Sequence, residues 1–213
     1  MGLGVRSRLL HLKDFLWDWR LGVNTFGFSD SGVADGRPYS PASYRTLRQV
    51  FDCVGLGAED VLLDVGCGLG RPVFFAGFRY PVKAGIGIDA NRGFIEQARR
   101  NCDGFRGARD NLHFIECNAV QYDYSKATVI VMYNPFGADT LTKVLARIYE
   151  SLQANPRPIK IVYLNPIEKA VFDRAPWLAK TAEFSPAQVP QLDIGNRRSY
   201  PKGQPAVVFY TSV

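Results

Sequence analysis

This sequence has few of the residues from which metal centres and disulfide frameworks are built. Across 213 residues it offers two histidines, His11 and His113, and four cysteines. Cys53, Cys67, Cys102 and Cys117 include no Cys-x-x-Cys pair, which excludes the usual zinc and dithiol redox spacings; no metal site is expected. Unpaired thiols suit a reducing cytosol, so a cytoplasmic location is the expectation. No stretch approaches the roughly 18 consecutive apolar residues of a membrane span. Lys13 and Asp14 interrupt the apolar run near the N-terminus, so no signal peptide is read there. Also missing is any run of five or six basic residues, although 26 basic against 20 acidic residues give a net charge of +6. That charge favours an anionic partner through long-range attraction. Without a basic arm, nucleic acid is disfavoured as that partner. Low-complexity tracts and internal repeats are absent as well, so one core without a linker is expected.

What is present alternates. Val61–Val65, Ala84–Ile88, His113–Ile115, Val129–Tyr133 and Ile159–Leu164 are short apolar runs that suit strands buried on both faces. Between them, Phe94, Ile95 and Ala98 mark one helix. Leu141, Val144, Leu145, Ile148 and Leu152 mark a longer one, with Asp139 as its expected N-cap. Tyr44, Leu47, Val50, Phe51 and Val54 set a further helix before the first strand. Such βαβ alternation implies parallel strands with right-handed crossovers, hence an α/β, Rossmann-like, doubly wound sheet with helices on both faces. At the C-terminus Ala182–Phe184 and Ala206–Tyr210 read as an antiparallel hairpin on the sheet edge. Its connecting loop, from Pro186 to Gln204, carries Arg197, Arg198 and Lys202 and is expected to meet an anionic part of a substrate. The organisation expected is a helical and loop segment over residues 1–45 that covers the site, and a catalytic domain over 46–213, all one domain. Within the first segment Leu9, Leu12, Phe15 and Leu16 are spaced as the apolar stripe of a short amphipathic helix packed on the domain. A membrane-surface helix is the less favoured alternative, because its charged face is short.

The chemistry concentrates where the first strand ends, in Asp64-Val65-Gly66-Cys67-Gly68-Leu69-Gly70. Glycines there let backbone approach a ligand, and the N–H groups of the helix that follows face it. Dinucleotide-binding enzymes use the same place, but their G-x-G-x-x-G pattern counted from Gly66 needs glycine where this chain has Arg71. Asp64, two positions before the first glycine, fits an ammonium-bearing ligand and would repel a pyrophosphate. Asp89, at the end of the second strand, can accept hydrogen bonds from a ribose diol; the alternative is an N-cap of the next helix.

The run from Asp64 to Gly70, with Asp89 following 19 positions after Gly70 (89 − 70), resembles the first two motifs of class I S-adenosylmethionine (SAM) dependent methyltransferases. The resemblance spans roughly residues 55–165. It implies a seven-stranded sheet, SAM as cofactor and S-adenosylhomocysteine as product. It also implies a glycine loop (Asp64, Gly66, Cys67, Gly68, Gly70) around the methionyl part and Asp89 on the ribose. Asn118 and Ala119 would lie near the adenine, with Asn118 where the family often has an acid. After the fourth strand, Asn134-Pro135-Phe136 is similar to the Asn-Pro-Pro-aromatic motif of methyltransferases acting on nitrogen, less its second proline. There the Asn side chain and a proline carbonyl hold the target N–H. The alternative is that this turn, like Asn165-Pro166, merely ends a strand. Tyr39-Ser40-Pro41-Ala42-Ser43-Tyr44 is similar to a segment of the non-SET-domain histone lysine methyltransferases. Trp17–Val23 belongs to a likeness with small bacterial methyltransferase-like proteins of unassigned substrate. Tyr39 or Tyr44 is expected over the sulfonium, where ring faces favour a cation, or else to pack the N-terminal segment. The reading that results is methyl transfer to a nitrogen of a protein side chain or small molecule. The alternatives are O- or C-methylation of a metabolite and a SAM-binding module without turnover. The methyl acceptor is not identified by the sequence.

Overall fold

Five of the seven strands of the sheet fall on the apolar runs of the sequence. The run His113–Ile115, however, forms an edge strand with His113 and Ile115 exposed, not one buried on both faces, because among the described residues no neighbour covers that side of the sheet. The computed structural model describes residues 3–189 and 205–213, with side chains from residue 12 onward. Its strands are β1 (Val61–Val65), β2 (Ala84–Asp89), β3 (Leu112–Glu116), β4 (Val129–Tyr133), β5 (Lys160–Leu164), β6 (Leu178–Phe184) and β7 (Val207–Ser212). They form one sheet in the order β3-β2-β1-β4-β5-β7-β6. β1 to β5 pair in parallel, and β7 runs antiparallel between β5 and β6. The C-terminal antiparallel hairpin of the sequence analysis is therefore present. β6 starts at Leu178, four residues earlier than the apolar cluster around Ala182 implies.

The helices are α1 (Leu3–Leu21), α2 (Tyr44–Val54), α3 (Arg71–Arg79), α4 (Arg92–Gly104), α5 (Ala138–Ala154) and α6 (Lys169–Asp173). Alternate side chains of the central strands feed two layers. Leu62, Val131, Val162 and Leu164 pack with α2, α3 and α4. Leu63, Val65, Ile130, Met132, Ile161 and Tyr163 pack with α5 and α6. This is the doubly wound Rossmann-like architecture. Strand order reverses between β1 and β4, and ligands of such sheets bind beyond the strand ends at that switch point.

Two further expectations are corrected, and one element is new. Helix α5 is capped by Gly137, and Asp139 lies within its first turn; there it complements the helix dipole without capping an N–H. The five-residue α6 was not foreseen, being too short for a periodic signal. Helix α1 exists but faces the other way: Leu12, Phe15 and Leu16 are exposed, while Asp14, Asp18 and Leu21 are buried. The cause is Arg71, buried on α3, which draws both carboxylates inward. The side chain of Leu9, and the loop residues Arg197, Arg198 and Lys202, lie outside the described residues.

Candidate functional site

After Val65 the backbone turns out of β1 through Gly66 and Gly68, at φ 75° and 52°, a left-handed region that favours glycine. The Gly66 and Cys67 N–H groups both donate to the Ile88 carbonyl, at 2.9 and 3.0 Å, which ties the loop to β2. The two glycines also make room. A Cβ on Gly66 would stand 2.6 Å from the Pro135 side chain, and one on Gly68 would stand 2.3 Å from the Tyr39 ring. The loop is thus closed upon from two sides, by the turn after β4 and by the segment after α1. Helix α3 then opens at Arg71, directly after Gly70.

Asp64 is the unusual group. Its carboxylate is buried, and Oδ2 has no hydrogen-bond partner among the described residues. Burial, reinforced by the neighbouring Asp89 charge, pushes its pKa up to about 8. An orphaned buried carboxylate oxygen is costly unless a cation meets it. Asp89 is held differently: Oδ2 accepts from the Gly68 N–H at 2.9 Å and Oδ1 from the Asn91 N–H at 2.8 Å. Burial raises its pKa while these N–H groups oppose the rise. The N-cap of α4 is Asn91, whose side chain accepts from the Phe94 N–H. The Cys67 thiol is buried, and burial pushes its pKa well up, with Asp64 and Asp89 adding to the rise; it is a packing group and not a thiolate nucleophile.

The turn after β4 holds Asn134 in a left-handed conformation, φ 42°, with its side chain buried. The Tyr163 hydroxyl donates to Asn134 Oδ1 at 3.3 Å and accepts from the Glu168 N–H at 3.3 Å. The Pro135 carbonyl accepts from the Arg37 N–H at 2.9 Å, and Gly36 bridges to Phe136. Asn165 repeats the left-handed geometry after β5, φ 49°, but does not line the cavity that Asn134 lines. The two Asn-Pro pairs therefore differ in surroundings.

That cavity, about 260 Å³, gathers Asp64, Gly66, Cys67, Gly68, Asp89, Asn118, Ala119, Asn134, Pro135, Phe136 and Tyr39 in one wall. Gly70 does not line it; a Cβ there would stand 2.4 Å from the Phe114 ring. Asn118 Oδ1 is engaged by the Val120 N–H at 3.1 Å, capping a short 3-10 turn, Ala119–Gln121. Tyr39 donates to the Thr25 carbonyl at 2.6 Å and packs its ring against Phe94, 5.4 Å between centroids. Tyr44 is not in the wall. Its side chain is buried between α1 and α3, its hydroxyl donates to Asp18, and the Arg71 guanidinium lies 4.8 Å over its ring. As the first residue of α2 it points into the core, so it has no access to a ligand in the cavity. The sequence reading missed Arg71, Phe94 and Tyr163. Arg71 stood out only as the residue that breaks a dinucleotide motif, and nothing local marks the other two.

Residues 62–155 match the family model of a methyltransferase domain. A protein-lysine N-methyltransferase of Saccharolobus islandicus is 28% identical over 96 residues, covering 45% of this chain and 59% of that protein. An uncharacterized protein of Methanocaldococcus jannaschii is 27% identical over 113 residues, covering 50% of this chain and 30% of that one. The chain thus spans less than two thirds of the length of either curated relative. Among solved structures, an RNA methyltransferase of Salinibacter ruber in complex with S-adenosyl-L-homocysteine superposes with a TM-score of 0.58 at 20% identity. That match covers 81% of this chain and 92% of that one. The magnesium protoporphyrin IX methyltransferase of Synechocystis with bound SAM superposes at 0.55 and 11% identity, over 80% and 79% of the two chains. These two likenesses are likenesses of fold.

Proposed function

We propose that this chain is a class I SAM-dependent methyltransferase, a reading supported by the methyltransferase-domain match over residues 62–155, and that it transfers a methyl group to a nitrogen of a protein side chain. One observation carries the reading. The cofactor half (Asp64, Gly66, Gly68, Asp89) and the acceptor half (Asn134, Pro135, Phe136) border the same cavity, with Gly66 packed on Pro135. The likeness to a lysine methyltransferase supports nitrogen as the target.

SAM fits the residues present: the orphaned Asp64 oxygen suits its ammonium group, and Asp89 keeps lone pairs for its ribose diol. When bound, it supplies an electrophilic methyl on a sulfonium, open to in-line displacement. The chain's own task is then to orient and exclude water. Asn134 Oδ1 and the Pro135 carbonyl each hold one hydrogen bond and retain a lone pair that can accept from the acceptor N–H. Two such bonds aim the nitrogen lone pair at the methyl group. Phe136 walls the acceptor side, and Tyr39 covers the glycine loop with its ring face. Asn118 and Ala119, which line the cavity, would border the adenine end. The residues from Gly36 to Tyr39 act as a strap across the cofactor.

The test is transfer of labelled methyl from SAM to basic proteins and lysine peptides, with the product identified by mass spectrometry. Asn134→Gly keeps the left-handed backbone and removes the amide. It is expected to lower kcat about 100-fold while SAM affinity stays within about twofold. Methyl on oxygen or carbon, with Asn134→Gly at full rate, overturns the nitrogen reading. A second reading, a SAM-binding module without turnover, draws on the fact that both acceptor atoms already hold a partner. It predicts micromolar SAM binding and no S-adenosylhomocysteine with any acceptor.

Tyr39 offers a separate prediction. In calorimetric titration Tyr39→Ala weakens SAM binding about tenfold, and Tyr39→Phe by no more than about threefold, because the ring face and not the hydroxyl meets the cation. Equal losses in both variants would assign Tyr39 to holding the strap through Thr25.

A further inference from the structure

The face that α1 turns away from the domain has no part in the reading above. Leu12, Phe15, Leu16 and Trp19 recur at helical spacing and are 53%, 59%, 52% and 65% exposed. Four large apolar side chains therefore form one outward stripe. The inward stripe carries Asp14, Trp17, Asp18 and Leu21. This inversion has an electrostatic consequence. Because Asp14 and Asp18 are buried against Arg71, the exposed charges left on residues 12–20 of the helix are Lys13 and Arg20, both cationic. Beside them the Arg106 guanidinium lies over the Trp19 ring, 5.3 Å from its centroid.

We propose that α1 docks this protein on an anionic lipid surface. Leu12, Phe15 and Leu16 enter the acyl boundary, Trp19 sits at headgroup level, and Lys13, Arg20 and Arg106 face the phosphates. An apolar stripe whose exposed charges on the helix itself, over residues 12–20, are both cationic complements an anionic bilayer. A second copy of the chain fits it poorly: pairing two such stripes brings the same cations together, in a protein of net charge +6. The helix can dock without unpacking, because its inner face stays tied to α3 through Arg71. Trp17 also remains packed there, on Phe75 and Phe78.

The experiment uses the intact chain, without cofactor, and sedimentation with lipid vesicles. On vesicles containing about 30% phosphatidylglycerol in phosphatidylcholine, partitioning is expected to exceed that on phosphatidylcholine alone about tenfold. Phe15→Asp with Leu16→Asp lowers it about tenfold, and Lys13→Ala with Arg20→Ala several-fold. Since the replaced side chains are exposed, an unchanged melting temperature verifies folding. Brominated acyl chains quench fluorescence in the wild type and not in Trp19→Phe, although Trp17 and Trp177 remain. Three results overturn the proposal. The first is full binding by the Phe15→Asp, Leu16→Asp variant, which reduces the effect to bulk charge. The second is no preference for anionic vesicles. The third is a dimer at sedimentation equilibrium that the same variant dissociates, which assigns the stripe to a second copy.

Discussion

Titrated with SAM across a pH series, the wild-type protein is expected to bind more tightly as pH rises toward about 8, and Asp64→Asn is expected to lose that dependence. The argument starts from a carboxylate with one oxygen orphaned and its pKa pushed up to about 8 by burial and by Asp89. In the ligand-free fold Asp64 therefore keeps its proton at neutral pH. The ammonium group of the cofactor favours the ionised form, so binding releases that proton. Linkage then makes the affinity rise up to about tenfold per pH unit below the apo pKa. Near and above about 8 an α-amino group begins to lose its own proton, and the affinity passes through a maximum.

The same group sets a stability trend of defined sign. Between the ordinary carboxylate range and about 8, the folded apo protein holds a proton that the unfolded chain has shed. Its stability therefore falls as pH rises through that window, and no contribution remains below it, where both states are protonated. Asp64→Asn removes the trend, so the variant melts higher than the wild type at pH about 8 while binding SAM at least about 30-fold more weakly. Calorimetry in buffers of different ionisation enthalpy reads the released proton directly. A proton count of zero at neutral pH, with a flat affinity profile, would sink this account of Asp64.

How far the sequence could be read depends on whether a residue's surroundings are local. Strands β1, β4 and β5 are buried on both faces, so four or five consecutive apolar residues announce them within a position or so of their observed ends. Helix α2 was legible because Tyr44, Leu47, Val50, Phe51 and Val54 recur at helical spacing and all five are buried; the structure adds Ser43 as its N-cap and Gly55 as its end. The glycine loop and Asp89 were legible for a similar reason: short-range backbone geometry and a single spacing define them. Facing is another matter. In α1 the set Leu12, Phe15, Leu16, Trp19 and the set Asp14, Trp17, Asp18, Leu21 have equal claim to helical periodicity. Only Arg71, 57 positions beyond Asp14, decides between them. Tyr39 and Tyr44 lie five residues apart with similar neighbours, yet one lines the cavity and the other is drawn into the core by Asp18. Nothing in the segment itself separates them.

The Arg71 cluster yields the largest stability effect expected for a single substitution. Its guanidinium, almost wholly buried, donates through Nε to Thr25 Oγ1 at 2.7 Å, through Nη1 to Asp14 Oδ2 at 3.3 Å and the Ala42 carbonyl at 3.1 Å, and through Nη2 to the Thr25 carbonyl at 3.3 Å. Asp18 Oδ1 lies 3.8 Å from Nη2. Arg71→Met leaves two buried carboxylates without their counter-charge, which costs about 3–5 kcal/mol. Arg71→Lys recovers less than half of that, since one ammonium cannot span partners set around a planar fork. Adding Asp14→Asn and Asp18→Asn to Arg71→Met recovers most of it, because a neutral cluster carries no charge to desolvate. Urea unfolding measures all three. SAM affinity should fall alongside, by about tenfold under conditions where Arg71→Met is still folded. The reason is position: Arg71 opens α3 directly after the glycine loop, and Thr25 links it to the Tyr39 hydroxyl, so the cluster holds the strap in register with the cofactor cavity. If Arg71→Met unfolds within about 1 kcal/mol of the wild type, the ion-pair account of α1 fails. If stability falls and SAM affinity does not, the cluster anchors α1 alone, and the strap owes its place to Arg37, Gly36 and the turn after β4.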